Sequence, residues 1–156
     1  PSAYLAEKGI HHLKHILSST ELLILNKEEA CLLVGKSSGQ ISIEEILFKL
    51  KNLGPKFAVI TDGRKELHAI NGKYIYKAKP PFVKVVDTTG AGDAFAASFL
   101  SGILRKKNVE FAIKLGITNA MSVIAHYGAK NILLTYKEAM REMKKVKIKV
   151  HKKRIS

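Results

Sequence analysis

The chain has 156 residues, is 46% hydrophobic, and carries 27 Lys and Arg against 13 Asp and Glu, a formal charge of +14 at pH 7. That size suits one globular domain with a real core, and without an apolar run of about eighteen residues or a basic-then-apolar leader it reads as neither membrane-inserted nor secreted. A single cysteine, Cys31, rules out a disulfide framework and fits a reduced cytoplasmic protein. The positive excess gathers between Lys144 and Arg154 without interleaved aromatics. Nucleic-acid binding is therefore disfavoured, and a field that draws anionic small molecules is the stronger reading.

Residues 1–20 read as a loop and a helix with Ile10, Leu13, Ile16 and Leu17 on one face. His11, His12 and His15 on that helix lack an acidic third ligand, so a solvated face is preferred to a zinc site. Residues 22–25 form a short buried strand ending at Asn26, which has Glu29 at capping-box spacing to start the next helix. Gly35-Lys36-Ser37 imitates the end of a P-loop, but Ala30 stands where the loop needs glycine, so this is a helix stop. Ser42 and Glu45 box a third helix that turns Ile43, Ile46, Leu47, Leu50 and Leu53 inward and ends at Gly54-Pro55. A second apolar strand, residues 57–61, runs into Thr61-Asp62-Gly63-Arg64. Residues 67–78 are two strands hinged at Asn71-Gly72, and Pro80-Pro81 precedes a strand at Val83.

Asp87-Thr88-Thr89-Gly90-Ala91-Gly92-Asp93 then joins a β-branched run to a long apolar helix. Two glycines allow a tight turn in which backbone N–H groups converge at a helix N-terminus, an arrangement suited to an anion. Asp93 in the first turn is placed to accept a proton beside that anion. A dinucleotide fingerprint is disfavoured, because Phe95 occupies the place of its third glycine. The helix to about Lys106 carries Phe95, Phe99 and Ile103, with Gly102 allowing close approach of a neighbour. A further helix from Val109 to Ala125 holds Phe111, Ala112, Leu115, Thr118, Asn119 and Ser122 at helical period. The loop His126-Tyr127-Gly128-Ala129 follows, then a last helix capped at Thr135 and Glu138, and a basic tail.

Asp87-Thr-Thr-Gly-Ala-Gly-Asp93 followed by Ala-Phe resembles the second signature of the ribokinase-like (PfkB) carbohydrate kinase family, with Ser98 where the family usually has Gly or Ala. Asn26-x-x-Glu29 and Thr61-x-Gly63 resemble the family's magnesium element and nucleotide loop, with Glu66 where the loop often has glycine. The resemblance implies an α/β, three-layer fold with a mainly parallel sheet and one β-hairpin. Since family members are about twice this length and the chain starts at Pro1, it also implies the C-terminal half of a longer protein: residues 1–143 the nucleotide and catalytic side, 144–156 a basic tail. The implied activity is transfer of the terminal phosphoryl of ATP to a hydroxyl of a sugar or, alternatively, a nucleoside; a non-catalytic ligand-binding or nucleic-acid-binding fragment is the rival reading. Asp93 would be the base, and the N–H groups of Gly90, Ala91, Gly92 and Asp93 the anion hole. Asn26 and Glu29 would order Mg2+ and its waters, Thr61 and Gly63 would border the nucleotide, and Asn119 would reach the base. Asp87 and Thr89 would help hold a monovalent cation such as K+. The implied partners are the N-terminal half and a second copy in a homodimer.

Overall fold

The computed structural model describes residues 3–128 and 132–155. The chain divides into two compact units, one reaching from the N-terminus to Lys77 and taking in the strand from His151, the other running from Ala78 to Val150.

The first unit opens with helices α1 (Ala3–Glu7) and α2 (Gly9–Ser18). In α2, Leu13 and Leu17 turn inward as their period requires, whereas Ile16, expected on the same face, is 65% exposed. Position 16 lies about 100° round the helix from 17, beyond the edge of the buried stripe. The strand β1 (Leu22–Asn26) leads directly into α3 (Lys27–Leu33), and α4 (Ile43–Lys51) precedes β2 (Phe57–Thr61). Both helices start on complete capping boxes, Asn26 with Glu29 and Ser42 with Glu45. Gly54, at φ +128°, passes so close to the end of α2 that a Cβ would lie 2.4 Å from Ser18 Cα, which fixes this turn as glycine.

β1 and β2 pair in parallel, with Asn26 opposite Thr61 at their carboxyl ends. β3 (Leu67–Ile70) runs antiparallel to β2 and continues through Asn71-Gly72 into β4 (Tyr74–Ala78). Asn71 Oδ1 accepts the N–H groups of Lys73 and Tyr74, so the side chain itself closes the turn. The sheet order is β1-β2-β3-β4-β5, β5 being Val150–Arg154. Within this chain the sheet is therefore mixed, and the stretch from Lys144, read from sequence as a tail, supplies its last strand. Lys152 Nζ stands 4.1 Å from the centre of the Tyr74 ring, a cation–π contact across the new edge. The core gathers Leu23, Leu25, Ile46, Leu47, Leu50, Ile60 and Ile70, all buried, between the helices and the sheet.

The second unit begins with an extended segment, 79–86, in which the strand expected at Val83 is not formed. The segment finds a helix end in place of a strand partner: the N–H groups of Val86 and Asp87 both reach Ile124 O, at 2.8 and 3.4 Å. Helices α5 (Ala91–Lys106) and α6 (Val109–Ile124) then pack closely, and α7 (Tyr136–Lys145) follows. Gly102 lets the first two touch, since a Cβ there would sit 2.7 Å from Ala112 Cα. Phe99 and Ile113, both fully buried, fill the seam. Of the loop expected at 126–129, Ala129 lies outside the described residues.

Candidate functional site

In the second unit, Gly90 adopts φ +79° and caps α5 from the left-handed region. Only glycine takes that conformation without strain. Gly92, by contrast, has no positive φ, and a Cβ built on it meets nothing within 4 Å. The turn itself therefore requires the first glycine and not the second. Ala91 N–H donates to Thr88 O at 3.2 Å and Ala94 N–H to Gly90 O at 2.9 Å. Ala91 is thus withdrawn from the expected set of four donors. The N–H groups of Gly90, Gly92 and Asp93 donate to no protein acceptor among the described residues. They lie at the positive end of a sixteen-residue helix, and the Asp93 carboxylate is exposed beside them in its first turn.

The root of the turn is pinned by Asp87. Its Oδ1 accepts Thr89 N–H at 2.9 Å and its Oδ2 accepts Gly128 N–H at 3.2 Å. The Thr89 backbone bond, then the Thr89 hydroxyl and the Gly128 bond, hold this carboxyl below the usual range. Asn119 is drawn inside the unit: it is 7% exposed, its Nδ2 donates to Ser98 Oγ at 2.7 Å, and its Oδ1 accepts Leu134 N–H at 3.0 Å. The side chain expected to reach a base thus joins α5, α6 and the approach to α7. The serine that departs from the expected Gly or Ala is its partner. Beside them, Val83, Met121, Ser122, His126, Leu134 and Arg141 line part of a cleft of about 490 Å³.

In the first unit, the carboxyl ends of β1 and β2 bring Asn26 and Thr61 side by side. Such a strand-end crevice is where open α/β sheets bind ligands. Asn26 Oδ1 accepts Glu29 N–H at 2.8 Å while Glu29 Oε2 accepts Asn26 N–H at 2.9 Å. One lone pair of Asn26 Oδ1 and the second oxygen of Glu29 stay available, a donor set suited to Mg2+ that keeps several waters. No cluster of three His, Cys, Asp or Glu side chains that could hold a metal ion occurs among the described residues. Thr61 Oγ1 leans on Leu25 O at 3.5 Å, and Gly63, at φ +53°, turns the loop back so that Asp62 N–H reaches Glu66 O at 2.9 Å. Lys27 and Asp62, which no motif singled out, meet across the crevice at 3.3 Å. They are 35 positions apart, and only the strand register brings them together.

The family model for pfkB family carbohydrate kinases matches residues 3–135. The chain belongs to that family. An uncharacterized sugar kinase of Archaeoglobus fulgidus is 34% identical over 137 residues, which is 83% of this chain and 50% of that protein. The cytidine kinase of Thermococcus kodakarensis is 32% identical over 120 residues, 74% of this chain and 41% of that one. Among solved structures, Arabidopsis thaliana ribokinase complexed with ribose and ATP superposes with a TM-score of 0.76 at 26% identity, covering 84% of this chain and 43% of the ribokinase. The ribokinase-like α/β fold follows, and the chain spans about half the length of the curated relatives it matches. The described residues contain no helix long and apolar enough to cross a membrane.

Proposed function

We propose that this pfkB-family chain is the phosphate-handling part of a kinase that moves the terminal phosphoryl of ATP to a hydroxyl of a sugar or related small molecule. The observation that carries the reading is the start of α5, where free N–H groups of Gly90, Gly92 and Asp93 flank an exposed carboxylate. The Asp93 carboxylate takes the proton of the acceptor hydroxyl as its oxygen bonds to phosphorus, and the bond from phosphorus to the leaving ADP oxygen breaks. The three N–H groups hold the charge on the moving phosphoryl, which needs donors fixed in advance. Asn26 and Glu29 would orient waters around Mg2+, which when bound offsets the phosphate charge. Thr61 and Gly63 border the nucleotide at the strand ends. Asn119 contributes by fixing Leu134 at the rim of the cleft, and Asp87 and Thr89 would border a monovalent cation such as K+.

A nucleoside acceptor is the second reading, favoured by the similarity to a cytidine kinase at nearly the same identity as to a sugar kinase. Asp93→Asn, made in the protein complete with an N-terminal half, tests the role of the base. Turnover is expected to fall at least about a hundredfold with nucleotide affinity nearly unchanged. Near-normal turnover would remove Asp93 from the mechanism.

A further inference from the structure

Lys27 follows the cap Asn26 directly and stands at the mouth of the crevice between β1 and β2, yet none of the motifs assigns it a task. Its side chain is 31% exposed and that of Asp62 is 23% exposed. Their single contact, 3.3 Å from Nζ to Oδ2, is longer than a strong charge-assisted bond. An ion pair so long and so accessible contributes little to stability. It does hold an ammonium group where the Asn26–Glu29 element and the Thr61–Gly63 loop face one another.

We propose that Lys27 is a phosphate-binding residue of the nucleotide site, which Asp62 holds in place until a polyphosphate displaces it. This rests on the kinase reading given above. A triphosphate offers several anionic oxygens against one carboxylate, so a flexible four-carbon stem with a compact charge will exchange partners when the nucleotide enters. The exchange leaves Asp62 free at the same edge. Its negative charge then opposes the nucleotide, so the pair sets affinity from both sides: Lys27 raises it and Asp62 restrains it. A mere structural clip would behave differently, because removing either partner would weaken the loop and affect binding in the same direction.

The test is calorimetric titration of Mg·ATP into the full 156-residue chain and its variants, with thermal melts alongside. Lys27→Met is expected to weaken binding about tenfold, the loss of one charged hydrogen bond. Lys27→Arg should restore most of it, and Asp62→Asn should tighten binding roughly threefold with little change in melting temperature. If both neutral variants weaken binding together, or neither changes it, Lys27 has no such role and the kinase reading stands. If the parent chain takes up no Mg·ATP at millimolar concentration, the kinase reading of this crevice fails and the role of Lys27 fails with it.

Discussion

Gly90 and Gly92 stand two positions apart in the same turn, and their geometry separates folding from binding. Gly90→Ala forces an alanine to φ +79° and should cost roughly 1–2 kcal/mol. Gly92→Ala meets open space in the first turn of α5 and should be neutral or stabilising by up to about 1 kcal/mol. On the proposed phosphate reading the added methyl group crowds an anion at the N–H groups of Gly90, Gly92 and Asp93, so nucleotide binding should weaken markedly. Melting curves and binding isotherms of the two variants check this crossed pattern. A second residue-scale prediction concerns His68, which is 5% exposed and has no hydrogen-bond partner for Nδ1 among the described residues. Burial lowers its pKa, and Lys77 lowers it further, against the opposing pull of Glu66, Glu44 and Asp62. The folded state thus takes up the proton less readily than the unfolded one. Its contribution is fully present above the unfolded value of about 6.5 and is lost as pH falls from there toward the lowered folded value. In denaturant titrations carried downward from neutral pH through the unfolded value of about 6.5, His68→Leu should flatten the fall in stability that the lowered folded pKa produces.

At the scale of elements, short-range signals were legible and long-range ones were not. Three helices start on boxes formed within four consecutive positions, Asn26–Glu29, Ser42–Glu45 and Thr135–Glu138, and the hairpin is closed by its own Asn71. Each is a contest between groups that are always near one another, so spacing decides it. The strand at Val83 needed a partner that only the assembled chain could supply, and it found the end of α6 instead. Four of the five residues of β5 are exposed, so it is held by backbone pairing and edge contacts and has no hydrophobic alternation to betray it. Asn119 was legible as a polar residue on a buried helix, but its use by Ser98 and Leu134 depended on the approach of α5 and of the segment before α7. The Asn26–Glu29 box carries its own prediction. Replacing both residues by Ala should cost roughly 1–2 kcal/mol of stability as a lost cap. In the protein complete with an N-terminal half it should also raise the Mg2+ concentration needed for half-maximal rate. Unchanged magnesium dependence with lowered stability would reduce the element to a cap.

At the scale of the molecule, the proposed anion turn lies in one unit and the proposed magnesium and nucleotide element in the other, and the chain spans about half the length of the curated relatives it matches. Leu100 and Leu104 make an apolar pair on one side of α5 that is open to solvent, 45% and 71% exposed, and Phe82 is 87% exposed. Such faces favour association of the isolated chain. An acceptor must be held in line with the phosphorus and screened from water, and we propose that residues outside this chain supply that screen. The chain by itself is therefore expected to bind nucleotide weakly and to phosphorylate no sugar or nucleoside specifically. The most direct measurement is titration of Mg·ATP into the 156-residue chain, run beside the Gly92→Ala variant. A weak, saturable heat that the variant loses while keeping its fold is the predicted result. Absence of binding at millimolar nucleotide, or equal binding by the folded variant, would contradict the claim that the start of α5 is a phosphate site.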